Sequence, residues 1–253
     1  MLSSLADRVV VVTGATSGIG RAAALRFAAA GAKVVGTGRD QRRLADLAPH
    51  VDCALTLDVT DPEGVAMFAA AVVDRYGGVD VLVNNAGIGL FRGWETTDDD
   101  ALRRVMDVNL FGPVALARAL LPSLIARKGV LLQVASVAGK RGYAKHTAYC
   151  ASKHALIGWS ESLRHDLRGT GCDVVVVCPP AVRTPFFENA GYMTFDEDHP
   201  NLVPMTADAV ADGIVAAAVE RPRSVILSPR ARALYALSVV APGLLETIQR
   251  FKK

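Results

Sequence analysis

The chain has 253 residues, of which 51% are hydrophobic and only 6% aromatic, and its 28 lysines and arginines exceed its 25 aspartates and glutamates by three. So small and scattered an excess of positive charge excludes the basic arm or stripe of a nucleic-acid-binding protein. A length of this order and an alanine- and valine-rich composition suit one domain with a sizeable core of buried parallel strands.

Short apolar runs alternate with helical patterns along the chain. Seven runs have the length and composition of buried strands, at residues 8–13, 33–37, 53–57, 79–83, 130–135, 173–178 and 224–227. The helical patterns between them cover residues 20–30, 41–47, 63–76, 98–124, 148–167 and 207–218. This alternation predicts an α/β fold: a single doubly wound, parallel, seven-stranded sheet with helices on both faces, Rossmann-like, in one domain over residues 1–253.

The turn after the first predicted strand reads Thr-Gly-Ala-Thr-Ser-Gly-Ile-Gly at residues 13–20. Its glycines, at positions 14, 18 and 20, let the backbone approach a phosphate, and the helix that follows offers N–H groups and a partial positive charge. A dinucleotide cradle is therefore predicted. The G-x-x-x-G-x-G spacing differs from the commonest dinucleotide fingerprint, so a simple strand-to-helix turn is the alternative.

The second predicted strand ends in Gly-Thr-Gly-Arg-Asp at residues 36–40, where a dinucleotide fold places the residue that contacts the adenosine ribose. Arg39 can pair with the 2′-phosphate of NADP, and Gly38 stands where an acidic residue would accept from the 2′-hydroxyl of NAD. These residues favour NADP. Asp40 argues against that preference, and a solvated arginine is the structural alternative.

Two further strand ends carry polar or small residues. Asp58 and Val59 follow the third strand, where Asp58 can accept a hydrogen bond from an adenine amino group or cap the next helix. The sequence Asn-Asn-Ala-Gly at residues 84–87 follows the fourth strand. Small residues there let a cofactor lie against the backbone, although turns of this kind are common.

Tyr149 and Lys153 are four residues apart in the predicted helix 148–167, so their side chains lie on one face. The ammonium group can then lie near the phenol and favour the phenolate. Ser136 stands at the end of the preceding strand. These residues predict acid/base chemistry, against the alternative of a packed tyrosine and a turn serine.

These motifs, in this order and together with Asn109, resemble those of the short-chain dehydrogenase/reductase family over nearly the whole chain. The resemblance implies that Tyr149 is the general acid/base, and that Lys153 lowers the pKa of its phenol and holds the nicotinamide ribose. It implies that Ser136 donates to the substrate carbonyl and that Asn109 anchors a water molecule that feeds protons towards Lys153. The residues expected to contact the cofactor are Gly14, Ser17, Gly18, Ile19, Gly20, Arg39, Asp58, Val59, Asn85, Ala86, Gly87, Tyr149, Lys153, Pro179, Val182 and Thr184.

A loop over residues 180–204 follows the sixth strand and is expected to contact the substrate. It departs from the family pattern at Pro180, where the family usually carries glycine; the proline fixes φ and removes an N–H, which is expected to alter the approach of the loop to the nicotinamide. The loop also concentrates large apolar side chains, which predicts a lid over a lipophilic substrate, or else packing on the domain or on a partner subunit. These side chains are Phe186, Phe187, Tyr192, Met193 and Phe195.

Other features of the sequence limit location and partners. The four cysteines show neither short paired spacings nor a cluster with histidine, and no metal-binding motif is present, so reduced thiols and no metal site are expected. The chain enters its first strand without an apolar leader, which predicts a cytoplasmic location. The uncharged stretch 233–245 is too short to span a bilayer and is expected to form a packed helix, with association with a membrane surface left open.

The sequence thus predicts an NADP-dependent oxidoreductase that interconverts a ketone and a secondary alcohol, as a carbonyl reductase with a small lipophilic substrate. One alternative keeps the fold but prefers NAD and oxidises an alcohol. Another is a non-catalytic, dinucleotide-sensing binding protein, since a fold does not determine function. The family resemblance also implies a homodimer or homotetramer.

Overall fold

Seven parallel strands form one sheet in the computed structural model, which describes residues 4–190 and 204–243. The strands are β1 (Val9–Val12), β2 (Lys33–Gly38), β3 (Cys53–Thr56), β4 (Val81–Asn84), β5 (Val130–Val134), β6 (Asp173–Cys178) and β7 (Ser224–Ile226). Their order across the sheet is β3-β2-β1-β4-β5-β6-β7. This confirms the predicted doubly wound, Rossmann-like fold, with strand bounds that differ from the predicted ones by one or two residues.

Helices cover both faces of this sheet. They are α1 (Gly18–Ala29), α2 (Gln41–Leu47), α3 (Pro62–Tyr76), α4 (Asp99–Met106), α5 (Gly112–Ala126), α6 (Thr147–Asp166), α7 (Phe186–Asn189), α8 (Ala207–Glu220) and α9 (Pro229–Val240). Helices α1 and α8 pack on one face, and α3, α5 and α6 pack on the other. All residues of β1, β4 and β5 are buried, because parallel strands are covered on both sides.

The chain reverses its winding direction between β1 and β4. It runs outward from β1 through β2 to β3, and then returns to place β4 on the other side of β1. The loops that follow β1 and β4 therefore diverge and leave a crevice at the carboxyl ends of the strands. Open α/β sheets bind ligands at such a reversal, so the fold itself places the candidate site.

The predicted continuous helix 98–124 is interrupted. Helices α4 and α5 are joined by a π-helical segment, Asp107–Phe111, in which Gly112 donates its N–H to the carbonyl of Asp107. The physical reason is Pro113, which lacks the N–H that an α-helix would direct at the Asn109 carbonyl. By length and composition the stretch 99–126 could cross a membrane, with 39% of its apolar window buried. Its apolar face packs against the sheet, as in the core helix of a folded domain.

The predicted C-terminal helix is present as α9, but it packs on one side only. Ala231 and Tyr235 lie against the cluster that contains Ile226. No residue of α9 is buried, and Val239 and Val240 are 63% and 84% exposed. The end of the predicted stretch, residues 244–245, lies outside the described residues.

Candidate active site

A cleft of about 1490 Å³ opens at the carboxyl ends of the strands. The residues predicted for catalysis and cofactor binding all line this cleft, with Asn109 as the exception. Residues from the ends of β1 through β6 thus meet at one edge of the sheet, although they are spread over about 170 positions of the sequence.

The turn between β1 and α1 is shaped for close approach of a phosphate. Gly14 and Gly18 have φ of +66° and +50°, in the left-handed region that favours glycine. A Cβ on Gly20 would lie 2.2 Å from the Gly14 carbonyl oxygen, so only glycine fits there. Ser17 begins α1 without a side-chain capping bond, which leaves the first N–H groups of this helix directed into the cleft.

A hydrogen-bonded link joins the ends of β1 and β4, and it was not anticipated from the sequence. The hydroxyl of Thr13 accepts from the backbone N–H groups of Asn85 at 3.0 Å and Ala86 at 2.9 Å. In return, the Asn85 amide donates to the Thr13 carbonyl at 2.9 Å. Thr13 is only 1% exposed, so these hydrogen bonds are shielded from water, which strengthens them. They hold the two walls of the crevice relative to each other.

The two residues expected at the adenosine end pair with each other. Arg39 lies 3.6 Å from a carboxylate oxygen of Asp58, and the Arg39 side chain is 68% exposed. Burial opposes the charge on Asp58, but hydrogen bonds from Thr60 and the charge of Arg39 hold its pKa below the ordinary value. The alternative role of Asp58 as a helix cap is wrong, because Asp61 caps α3.

Asp40, which argued for NAD in the sequence, has a structural role. Its carboxylate accepts from the Arg43 N–H at 3.1 Å, which caps α2, and it also lies 3.3 Å from the Arg43 guanidinium. A Cβ on Gly38 would lie 2.5 Å from the Thr16 side chain, so an acidic residue at this position would displace the neighbouring turn.

Ser136, Tyr149 and Lys153 lie together at the inner end of the cleft. Ser136 caps the short 3₁₀ segment after β5, with Ala138 N–H donating to its hydroxyl at 3.1 Å, and its side chain also hydrogen-bonds Tyr149. Lys153 is 4% exposed and donates to the Val134 carbonyl at 3.1 Å, with its ammonium 5.8 Å from the centre of the Tyr149 ring. The structure thus brings the predicted acid/base residues together.

Burial is the main influence on the protonation of Tyr149 and Lys153. Burial raises the pKa of Tyr149 above its ordinary value, and the hydrogen bond from Ser136 only partly offsets this. Burial also lowers the pKa of Lys153 to about 8. Both groups lose water in the same pocket, so burial favours the neutral form of each. The expected lowering of the tyrosine pKa by Lys153 stays a prediction.

The side chain of Asn109 has a positioning role, and its expected role in anchoring a water molecule stays a prediction. The side chain is fully buried: its oxygen accepts from Ile88 N–H at 2.8 Å, and its amide donates to the Ile88 carbonyl at 2.9 Å and to the Ser152 hydroxyl at 3.0 Å. These bonds tie the loop after β4 to α6, one residue from Lys153 in sequence. Asn109 therefore holds the helix that carries the acid/base pair.

The loop after β6 lines the end of the cleft that is expected to receive the nicotinamide. Val182 forms a parallel bridge with Met205, supported by bonds from Arg183 N–H to Met205 and from Met205 N–H to Ala181. Thr184 lies over the glycine turn, since a Cβ on Gly18 would be 3.1 Å from its methyl group. The loop thus reaches the cleft despite the proline at position 180.

An aromatic cluster covers Tyr149, and its central residue, Phe91, was missed by the sequence analysis. Phe91 is 7% exposed, and its ring centre lies 5.3 Å from Tyr149, 6.0 Å from Phe186 and 5.5 Å from Phe187. Tyr149 and Phe186 are 5.8 Å apart. Part of the predicted lid therefore does lie over the candidate catalytic residue. The other predicted lid residues, Tyr192, Met193 and Phe195, lie outside the described residues.

The residues present fit a nicotinamide dinucleotide. The glycine cradle and uncapped helix suit its pyrophosphate, the exposed arginine at the end of β2 suits its adenosine half, and the Ser136, Tyr149 and Lys153 group supplies acid/base chemistry at the opposite end. Among the described residues no cluster of potential ligands could hold a metal ion. This combination defines an NAD(P)-dependent oxidoreductase.

The family is established by comparison with known proteins. The profile of the family described as short chain dehydrogenase matches residues 8–193. The protein is thus a member of the short-chain dehydrogenase/reductase family. It is 42% identical over 199 residues to dehydrogenase/reductase SDR family member 7B of Rattus norvegicus, an alignment that covers 74% of this chain and 61% of the rat protein.

Solved structures with bound cofactor share the fold. A short-chain dehydrogenase/reductase from Burkholderia phymatum in complex with NAD has a TM-score of 0.87 and 26% identity, covering 96% of each chain. A short-chain dehydrogenase from Burkholderia cenocepacia in complex with NADP has a TM-score of 0.84 and 25% identity, covering 96% of this chain and 98% of that one. The neighbours thus include both cofactors.

The buried Lys153 predicts a pH-dependent stability. Its pKa falls from 10.5 to about 8 on folding, so between these values the unfolded chain binds more protons and stability rises with pH; below about pH 8 the contribution is constant. Relative to Lys153→Met, the wild type should therefore gain about 1 to 2 kcal/mol in unfolding free energy from pH 8 to pH 9.5. Urea unfolding of both proteins at matched pH values measures this difference. A flat difference would show that the folded protein keeps Lys153 charged up to pH 9.5, so that burial does not lower its pKa.

Proposed function

We propose that this protein is an NADP-dependent carbonyl reductase that reduces an apolar ketone to a secondary alcohol. The observation that carries the proposal is the buried group formed by Ser136, Tyr149 and Lys153, at the opposite end of the cleft from Arg39. The runner-up is an NAD-linked alcohol dehydrogenase of the same fold. A non-catalytic dinucleotide sensor would have no use for a phenol and an ammonium buried together.

The proposed chemistry uses each residue of the group at a stated atom. When bound, the dinucleotide supplies a hydride to the carbonyl carbon. The Ser136 hydroxyl donates to the carbonyl oxygen and orients it, and the Tyr149 hydroxyl gives that oxygen a proton as it gains negative charge. Lys153 then returns a proton to the tyrosinate. The ketone thus takes up one hydride, which carries two electrons, and one proton. The product is a neutral alcohol.

The protonation of the group supports the reductive direction. Because burial raises the pKa of Tyr149, the phenol keeps its proton at neutral pH and can donate it. Lys153, with a pKa of about 8, changes charge close to physiological pH and is suited to pass a proton to its neighbour. Oxidation of an alcohol would need the phenolate, which burial disfavours.

The NADP preference is supported by Arg39. Its side chain is exposed at the adenosine end and its pairing with Asp58 spans 3.6 Å, longer than a charge-assisted hydrogen bond. The Arg39 side chain can therefore reorient towards a 2′-phosphate without breaking a short hydrogen bond. Asp40 is occupied in capping α2 and pairing with Arg43, so it does not present a free carboxylate to the ribose.

The apolar substrate is supported by the aromatic cluster around Tyr149. Phe91, Phe186 and Phe187 all line the cleft, and Leu234 and Tyr235 of α9 line its outer wall. Such walls favour burial of hydrocarbon next to the reacting carbonyl.

A homodimer or homotetramer remains part of the proposal, supported by Phe111, which is 58% exposed beside α5. A cytoplasmic location is likewise proposed, in keeping with four free cysteines.

Tyr149→Phe should reduce kcat by about 100- to 10,000-fold, because it removes the transferable proton and little packing volume. NADPH affinity should change little. Steady-state kinetics with a neutral ketone and fluorescence titration with NADPH check both expectations. Tyr143→Phe is the matched control, since this tyrosine lines the same cleft and is 37% exposed. If the two variants retain similar activity, Tyr149 is not the acid.

Arg39→Ala should weaken NADPH binding about 10-fold and leave NADH binding nearly unchanged, because a charge-assisted bond at so exposed a site contributes about 1.5 kcal/mol. Titration of each cofactor into both proteins measures the effect. Arg42→Ala is the control, since Arg42 is an exposed neighbour outside the cleft. Equal losses for both cofactors would assign Arg39 a structural role, and a wild type that prefers NADH would favour the runner-up.

The kcat/KM for methyl ketones should rise about threefold to fourfold for each added methylene until the pocket is full, because burying one methylene contributes about 0.8 kcal/mol. Replacing both Phe186 and Phe187 with alanine should flatten this rise, and replacing both with leucine should largely keep it. Kinetics over 2-butanone to 2-decanone measure the slope. A wild type with no dependence on chain length would refute the apolar-substrate proposal.

A further inference from the structure

Positive charge collects at the substrate end of the cleft. The cationic residues that line this part, apart from the buried lysine, are Arg92, Arg104, Arg141 and Arg230. The acidic residues that line it are Asp98 and Asp107. With four arginines against two aspartates, this end of the cleft is positive even before Lys153 is counted, and nothing in the reduction of a neutral ketone requires such a field.

Three of these arginines, Arg104, Arg141 and Arg230, have no carboxylate partner within the described parts of the chain. Arg92 lies 3.5 Å from Asp98, and the nearby Lys140 lies 3.7 Å from Glu161. Arg141 and Arg230 form no ion pair with any residue of 4–190 or 204–243. Arg141 is half-buried, whereas Arg230 is exposed at the first turn of α9. Arg141 therefore presents a guanidinium to the cleft that no described carboxylate neutralises.

Arg141 precedes the helix that carries Tyr149, and it has one contact through its side chain and one through its backbone. Its guanidinium lies 4.7 Å from the centre of the Tyr143 ring, a cation–π contact that orients the side chain. Its backbone carbonyl is 3.8 Å from the thiol of Cys150, the residue next to Tyr149. The arginine thus lies in the loop before α6, where it lines the cleft next to Tyr143.

We infer that the substrate is an apolar ketone that carries a carboxylate, and that Arg141 binds this carboxylate, with Arg230 at the rim adding to the field. The inference rests on the proposed ketone reduction, since it specifies the substrate class of the same site. The aromatic side chains around Tyr149 would bury the hydrocarbon part, and the guanidinium would take the anionic group in a forked pair of hydrogen bonds. The carbonyl is reduced as described above, and the carboxylate takes no part in the chemistry.

The chain also contains a competing source of negative charge. The sequence Asp-Glu-Asp at residues 196–198 belongs to the predicted lid and lies outside the described residues. If these side chains neutralise Arg141, a substrate carboxylate gains nothing from it. The experiment below separates the two cases, because only a substrate-binding arginine discriminates an acid from its ester.

The test uses methyl ketones matched in skeleton: 4-oxopentanoate, 7-oxooctanoate and 9-oxodecanoate, each with its methyl ester. The measured quantity is the preference ratio, kcat/KM for the acid divided by kcat/KM for the ester, with saturating NADPH. The wild type should have a ratio above 1 for at least one chain length, which also shows how far the anion site lies from the carbonyl. Arg141→Met should lower that ratio about 5- to 10-fold, Arg141→Lys should keep most of it, and Arg141→Glu should bring it below 1.

Arg168→Met is the matched control, because Arg168 is exposed just after α6 ends and does not line the cleft. It removes the same charge and should leave the ratio unchanged. A wild-type ratio at or below 1 for every chain length would overturn the inference. An Arg141→Met variant that loses acid and ester equally, or a control that shows the same drop, would overturn it as well.

A binding measurement keeps this result separate from the proposed function. Calorimetric titration of decanoate and of methyl decanoate into the enzyme with NADP⁺ needs no turnover. Decanoate should bind the wild type more tightly than the ester does, and Arg141→Met should remove that difference. If no ketone is reduced but this difference is found, the ketone-reductase proposal fails and the anion site stands. If ketones are reduced and the difference is absent, only the carboxylate inference fails.

Discussion

The link between the ends of β1 and β4 is the constraint on which the site depends. These two strands are neighbours in the sheet, but the loops that follow them diverge, and the cofactor cleft is the space between those loops. Thr13 and Asn85 hold the two loops at a fixed separation through hydrogen bonds of 2.9 to 3.0 Å in a dry environment. The glycine turn can leave its helix N–H groups open for a ligand because this neighbouring link supplies the rigidity.

A second constraint follows from burial at the other end of the cleft. Tyr149 and Lys153 are both withdrawn from water, so the pKa of the phenol rises and that of the ammonium falls. Each change favours a neutral side chain, yet with a pKa of about 8 Lys153 still holds its proton at neutral pH and lies one helical turn from the protonated phenol. The buried Asn109 holds this helix against the loop after β4, so the π-helical segment that positions Asn109 contributes to the acid/base group without touching the substrate.

The outer part of the cleft combines aromatic and cationic side chains. Aromatic rings surround the tyrosine, and arginines that pair with no described carboxylate line the same cleft. Burial of hydrocarbon contributes to the free energy of binding in proportion to the apolar area removed from water. Pairing of an anion with arginine contributes through electrostatic attraction at short range. A substrate with both an apolar body and a carboxylate would use both, and this is how the substrate end of the cleft differs from a purely apolar pocket.

The sequence determined the fold class and most of the site, because local patterns encode both. Valine-rich runs alternating with helices are sufficient for a parallel sheet, and a parallel sheet brings the ends of its strands to one edge, where the glycine turn, Ser136 and Tyr149 meet. Only the tertiary structure decided what depends on distant packing: the capping role of Asp40, the enclosure of Tyr149 by Phe91, and the direction of the tyrosine pKa. Such properties arise from contacts between residues far apart in the chain, and desolvation depends on the number of atoms that surround a group, which no spacing along the sequence records.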